Sequence, residues 1–318
     1  MRAPAQQSRL RDGRLHLHDG PIDLIIEAFG EPLAVERAYA AAWSRFTNIL
    51  DELCSELPLL RARATGTSAR PTGIVARRMW DAVAPLSAAR FITPMAAVAG
   101  AVAEEVLAAV TAAARLRRAY VNNGGDIALH LVRGESFAVG MIDRPDTPGL
   151  IGRAKVTGHD SVRGVATSGW RGRSFSLGIA DAVTVLARTA AAADAAATLI
   201  ANAVDLPGHP AIRRAPASSR DPQSDLGDRP VTIDVGMLTK CDIDQALVAG
   251  LQEAERLRCA GALEAAALQL GGRTLVCSLG IDRTFDALPI GPAGAAGEYE
   301  MQVGRRTVHH DLAVAGIG

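Results

Sequence analysis

The stretch Ala119-Tyr120-Val121-Asn122-Asn123-Gly124-Gly125-Asp126-Ile127-Ala128-Leu129-His130-Leu131-Val132 decides the fold class. A short apolar run enters an Asn-Asn-Gly-Gly-Asp turn and a second apolar run leaves it. Gly124 and Gly125 admit positive φ, so the turn is tight and the two runs read as paired strands. Upstream, Thr93-Pro94 reads as a capping residue followed by proline at the first helical position, opening a long helix to about Leu116. A long helix feeding directly into a hairpin is the signature of an α+β chain rather than of a strict βαβ alternation.

The pattern extends in both directions. Residues 1–12 read as a flexible tail. Leu15 and Leu17 alternate with His16 and His18, and Asp19-Gly20-Pro21 turns the chain into a strand from Ile22 to Phe29. Helices are predicted from about Leu33 to Leu57 and from Ile74 to Val83. Beyond the hairpin, strands are predicted at Ser136 to Met141, Ile151 to Val156, Ser161 to Thr167 and Ala182 to Ala187, then an Ala-rich helix from Ala190 to Val204. The segment 206–230 holds five prolines and reads as a long loop, a lid or a linker. A strand from Val231 to Val235, a helical stretch from Asp242 to Leu270 and a strand from Arg273 to Ser278 follow. A Gly-rich piece at 291–297 precedes a terminal strand. The organisation is one domain over 1–318, with a first lobe at 13–142, a second at 151–290 and an extension at 291–318.

Charge and composition exclude some classes. Lys+Arg and Asp+Glu are both 34, so the chain lacks the basic excess of a nucleic-acid-binding domain. Of the basic residues 32 are Arg; Lys155 and Lys240 are the only lysines, so a Schiff-base or phosphate lysine would have to be one of them. Ala numbers 60; the bland reading is GC-rich codon usage, and the small side chains permit close backbone packing. The four cysteines show no zinc or CxxC spacing. The polar, basic start has no apolar core of a signal peptide. The apolar run Phe91 to Ala103 ends at Glu104-Glu105, too short to span a membrane. The expectation is a cytoplasmic protein with a small-molecule ligand, no nucleic acid and no membrane; a homodimer stays open.

Three clusters carry chemistry. Asn122, Asn123, Gly124, Gly125 and Asp126 form a turn whose N–H groups and amides suit an anionic ligand, or simply a hairpin. Thr167, Ser168, Gly169, Arg171, Arg173 and Ser174 combine hydroxyls, N–H groups and guanidinium, a set suited to phosphate or carboxylate, or to an ordinary polar loop. Asp194 and Thr198 stand one helical turn apart, so their oxygens share a face that can hold Mg²⁺; the bland reading is a solvated Asp and a Thr bonded to its own helix. Asn202 lies one turn further. Asp181, His130 and His159 are the available bases, with Asp181 and Ser174 taken as the catalytic candidates.

In order and spacing the three clusters resemble the ApbE-like superfamily, the FAD:protein FMN transferases. The resembling segments are Val121 to Ile127, Ala166 to Gly169, Ala182-Val183-Thr184-Val185 and Ala193 to Thr198, within roughly residues 90–205. Thr93 to Gly100 and Ser174 to Val183 are similar to an uncharacterised cytoplasmic branch of that superfamily. The resemblance implies two intertwined α+β lobes with mixed or antiparallel sheets and a pocket between them. It implies Mg²⁺ at Asp194 and Thr198, and FAD, FMN or another phosphorylated ligand near the turn and the Thr-Ser-Gly segment. It implies a transferase or hydrolase, with a divergent metabolite-binding protein as the alternative. Two positions depart from the transferases: Ala99 stands where they place a Lys, and the Trp170–Asp181 segment holds no His.

Overall fold

The computed structural model describes residues 3–88, 90–142, 150–278, 286–287 and 312–314. In chain order the elements are β1 (Gln6–Arg9), β2 (Leu15–Asp19), β3 (Ile22–Phe29), α1 (Pro32–Phe46), α2 (Ile49–Ser55), α3 (Leu57–Arg61), α4 (Ile74–Val83), α5 (Val98–Ala113), β4 (Arg118–Asn123), β5 (Asp126–Leu131), β6 (Ser136–Ile142), β7 (Leu150–Thr157), β8 (Gly164–Ser168), β9 (Ala182–Ala187) and α6 (Ala190–Ala203). There follow β10 (Ile212–Pro216), α7 (Ala217–Arg220), β11 (Pro230–Val235), α8 (Lys240–Cys259), β12 (Ala265–Leu270), β13 (Arg273–Ser278), β14 (Asp286–Ala287) and β15 (Leu312–Val314). A 3-10 turn, Pro94–Ala97, leads into α5.

The fold is α+β. One nine-stranded sheet, ordered β1-β2-β3-β4-β5-β8-β9-β12-β13, runs through both halves of the chain, and every pairing in it is antiparallel. A second sheet, β14-β7-β6-β15, packs over part of one face. The alternation of β2 and β3 matches this arrangement: Leu15, Leu17, Leu24 and Ile26 face the helices and are buried, while the residues between them are half-exposed. Where both faces are covered the alternation disappears, and β9 and β12 are buried at every position. The main core lies between the large sheet and the helices; a smaller one, around Tyr120, Ile127, Phe137 and Leu186, joins the two sheets.

Several expectations require correction. Within the expected tail, Gln6–Arg9 form an edge strand paired to β2. The expected helix at 33–57 is three helices, because the chain bends at 47–48 and again at Glu56. The helical stretch expected to reach Leu270 ends at Cys259, and Ala265–Leu270 is a strand held between β9 and β13; ladder bonds on both sides override alanine's helix preference. The 206–230 segment is not a bare loop. It forms a strap in which β10 pairs with β11, Pro216 opposite Pro230 at the end of the ladder, where a missing N–H costs least. Thr93 makes no capping bond to α5 and instead donates to Asp225 of the strap.

The helical run Pro94–Ala113 continues past Glu104-Glu105 and, at 20 residues and mean hydropathy 1.6, is long and apolar enough to cross a membrane by length and composition. Half of it is buried inside the fold. Glu105 pairs with Arg45 and Arg78, and Glu104 with Arg78, so it packs here as a core helix. The Gly-rich piece at 291–297 lies outside the described residues, while the terminal strand includes β15, parallel to β6.

Candidate functional site

Asn123 and Asp126 face each other across the last pair of the β4–β5 ladder. Gly124 and Gly125 complete the turn with φ of 61° and 105°, and the Gly125 N–H donates to Asn122 Oδ1 at 2.8 Å. The asparagine side chain thus stands in for a backbone acceptor and fixes the turn. Asn123 points to the helix side, where its Nδ2 donates to the Ala99 carbonyl at 3.1 Å. Asp126 Oδ1 accepts the Thr167 N–H at 3.2 Å, which ties the first sequence cluster to the second.

The third cluster arrives from α6. Asp194 Oδ2 accepts the Gly100 N–H at 3.1 Å, and the Ala99 N–H donates to the same carboxylate. These are the second and third residues of α5, so the cap that Thr93 fails to supply comes from another helix. The arrangement is reciprocal: Glu104 of α5 accepts the Ala191 N–H at the start of α6 at 2.7 Å. Close approach makes this possible, since a Cβ at Gly100 would sit 2.3 Å from the Ala190 carbonyl oxygen.

Asp126 and Asp194 are therefore neighbours on the covered face of the sheet. Burial raises the Asp126 carboxyl well above the usual carboxylate range, and the Asp194 charge raises it further. Burial likewise pushes Asp194 up to about 7, against the pull of the Gly100 and Ala99 N–H groups. Among the described residues neither has an ion-pair partner. The Thr198 hydroxyl, one turn along α6, makes no hydrogen bond among the described residues, not even to its own helix. The site thus offers two crowded carboxylates and an unengaged hydroxyl, a hard-oxygen donor set that a dication would suit.

Strand alternation divides the Thr-Ser-Gly segment. The Thr167 hydroxyl lies on the opposite face, 2.9 Å from that of Thr184. Ser168 shares the helix-covered face with Ala166. Arg173 reaches the turn, its Nη1 3.6 Å from where a Gly124 Cβ would lie; it is exposed and, among the described residues, has no carboxylate partner. Arg171 is committed elsewhere: it stacks on Trp170 at 4.3 Å, and its Nε donates to Asp181 Oδ1 at 2.8 Å. Asp181 Oδ2 accepts the Gly271 N–H at 2.7 Å, so both its oxygens are engaged. Ser174 lies on the surface. Asn202 accepts from the Leu177 N–H and the Ser176 hydroxyl.

The two histidines considered as bases stand apart. His130, four residues along β5 from Asp126 and so about 13 Å away, lines a separate groove of about 300 Å³ with Arg163, Glu104 and Thr189. His159 sits in the exposed turn after β7. What the sequence did not reveal is the Ala99-Gly100 amide pair. Its only signal is a glycine three residues into a helix, where a small residue is otherwise unneeded.

The profile of a family described as AbpE bacteria matches residues 7–276, most of the chain. The chain belongs to this family. The AbpE-family match takes in all three clusters, the strap and the whole large sheet except the first residue of β1 and the end of β13. Among curated proteins, a UPF0280 protein of Methanopyrus kandleri is 43% identical over 129 residues, 40% of this chain and 48% of that protein. A second, from Methanocaldococcus jannaschii, is 38% identical over 123 residues, 35% and 45% of the two chains. The chain spans about half the length of the curated relatives it matches. Among solved structures, the apo Pseudomonas stutzeri flavinyl transferase ApbE is 12% identical at a TM-score of 0.40, covering 86% of this chain and 93% of that one. The Vibrio cholerae flavin transferase ApbE is 12% identical at a TM-score of 0.32, covering 90% and 97%.

Proposed function

We propose that this AbpE-family chain is a cytoplasmic protein that binds a flavin nucleotide or another phosphorylated small molecule together with Mg²⁺. The observation that carries the reading is the convergence of the buried Asp126 and the half-buried Asp194, two carboxylates with no ion-pair partner among the described residues, beside the Asn-Gly-Gly turn. Asp194 and Thr198 would hold the metal, with Asp126 beside them. When bound, Mg²⁺ supplies positive charge that offsets both carboxylates and the phosphate oxygens of a ligand. The chain's own groups position that ligand: the turn at Gly124 lets its backbone come close, Ser168 offers a hydroxyl, and Arg173 brings a guanidinium to the turn.

The reading is tested by calorimetry with FAD and Mg²⁺ on Asp194→Asn. Asparagine keeps an oxygen for the α5 cap, so the variant folds, whereas alanine would also lose the cap. Loss of the Mg²⁺ dependence and at least ~tenfold weaker binding are expected; unchanged affinity in the presence of Mg²⁺ would sink the metal role. Mass spectrometry of molecules released from the purified protein identifies the ligand class without assuming a reaction.

A second reading, ligand binding without flavin transfer, is favoured by one observation. Asp181, the nearest candidate base by sequence, has its oxygens engaged by Arg171 and Gly271, and His130 and His159 stand away from the carboxylates. With FAD, Mg²⁺ and a threonine-containing acceptor protein, AMP release separates the two: its appearance makes the chain a transferase, and its absence alongside tight FAD binding supports the binding protein.

A further inference from the structure

Three distant segments meet around Phe91. The Ala64 N–H donates to the Ile92 carbonyl at 2.9 Å, which lays the 63–64 backbone beside 91–92. The strap closes from the other side, with Asp225 accepting from the Thr93 hydroxyl. Arg229 of the strap stacks its Cζ 3.4 Å from the Phe91 ring centroid, and Arg63 places its Cζ 6.0 Å from the same centroid. Two guanidinium groups are thus gathered on one ring. Among the described residues neither pairs with a carboxylate, and neither guanidinium donates a side-chain hydrogen bond. The strap acids turn to other donors: Asp225 accepts from the Thr93 hydroxyl, Asp228 from the Ser218 hydroxyl at 2.5 Å and Asp221 from the Gln223 N–H at 2.8 Å, and among the described residues none of the three pairs with either guanidinium.

Stacking on a ring uses the face of a guanidinium and leaves its in-plane N–H groups free to donate. Two such cations held together without a counter-ion repel one another, and an anion with several acceptor oxygens relieves the repulsion while satisfying both forks. From Thr93 the 3-10 turn and the first residues of α5 lead to Ala99, a path on the order of 10 Å. That is short enough for one ligand to reach both places.

We infer that Arg63, Phe91 and Arg229 form a subsite for a phosphate or other oxyanion group, at the far end of the ligand from the Asp126–Asp194 pair. Its place in the ligand rests on the reading given under Proposed function; its anion chemistry is testable separately. The strap then has a role in recognition, since it carries one of the two cations.

Inorganic pyrophosphate is the probe, titrated by calorimetry in low-salt buffer with a chelator, so that no metal takes part. The wild-type chain is expected to bind it. Arg229→Gln and Arg63→Gln are each expected to weaken binding at least ~tenfold, while Arg37→Gln, at an exposed position of α1 that belongs to neither site, changes it less than twofold. Arg63 is exposed, so its substitution tests the subsite even where loss of the Arg229 stack loosens the strap. Absence of binding to the wild-type chain, or wild-type affinity retained in either Arg63→Gln or Arg229→Gln, overturns the subsite. Loss in Arg173→Gln alone overturns it too, placing the anion at the Gly124 turn and leaving the proposed function standing. Conversely, pyrophosphate binding lost in Arg63→Gln and Arg229→Gln supports the subsite even if Asp194→Asn binds FAD with Mg²⁺ normally, in which case only the metal role fails.

Discussion

At pH 8 and without added metal, Asp126→Asn is expected to melt at a higher temperature than the parent chain. The sign follows from the direction in which burial moves the pair. A carboxyl whose folded pKa lies above its unfolded value binds more protons in the native state, so native stability falls as pH rises between the two values. For Asp194 that window runs from the ordinary aspartate range to about 7. Asp126 shifts in the same direction for the same cause, with the neighbouring charge added. Well-paired surface carboxylates give the opposite slope, so a chain that loses stability between about pH 4 and 8 reports the crowded pair. The asparagine cannot ionise, yet its Oδ1 can still accept from the Thr167 N–H. The gain grows from pH 4 to pH 8 and is read as the rise of the Asp126→Asn melting midpoint above that of the parent. Added Mg²⁺ should recover part of the loss in the parent and none in Asp194→Asn. Melting curves from pH 4 to 8.5 check this; a flat parent profile, or a lower midpoint for Asp126→Asn at pH 8, contradicts the unpaired-carboxylate account.

A substitution that stabilises the apo protein while weakening its ligand is what a binding site predicts. Asp194 shows why the sequence could only partly reveal this. Its i, i+4 spacing with Thr198 put both on one helix face, and α6 places them there. The spacing said nothing of the partner across 68 residues of chain, because only the β5–β8 pairing and the α5–α6 crossing bring Asp126 alongside. The same limit explains the second cluster. Thr167, Ser168, Arg171 and Arg173 are consecutive enough to read as one ligand-binding set, but strand alternation turns Thr167 away from Ser168. The demand of Asp181 for a counter-ion then takes Arg171.

At the level of elements, the hairpin at 119–132 was legible because its turn chemistry is local: two glycines with positive φ and an asparagine that bonds within the turn. Ala265–Leu270 was not, because nothing local in Ala-Ala-Ala-Leu-Gln-Leu opposes a helix. Only the neighbouring edges of β9 and β13, far away in sequence, make it a strand. The strap lay between these cases. Its prolines signalled the absence of long regular elements, yet Pro216 and Pro230 sit opposite each other at one end of a ladder, so the composition that suggested a bare loop is compatible with a short paired excursion.

Gly100→Val is expected to cost most of the chain's stability, and Gly100→Ala to be destabilising where a helix interior would ordinarily gain. In an open helix, replacing glycine with alanine contributes about 1 kcal/mol of stability. Here the new Cβ would lie 2.3 Å from the Ala190 oxygen, 2.4 Å from its carbonyl carbon and 2.7 Å from the Ala191 nitrogen. All three are backbone atoms at the start of α6, so no side chain can rotate out of the way and the helices must separate. Overpacking of this kind costs roughly 1–3 kcal/mol or more. Separation also stretches the two reciprocal caps, Gly100 N–H to Asp194 and Ala191 N–H to Glu104, each a charge-assisted bond of about 1.5–3 kcal/mol. For alanine the net loss is about 3 kcal/mol or more. For valine it approaches the 5–15 kcal/mol that hold an ordinary domain together, so little folded protein is expected. Urea unfolding of Gly100→Ala checks the sign, with Gly66→Ala as the control, since a Cβ there meets nothing within 4 Å. A stabilised Gly100→Ala would mean that α5 and α6 do not touch at this point. The amide pair at Ala99-Gly100 would then not reach Asp194, and the carboxylate would lose the position that makes it the neighbour of Asp126.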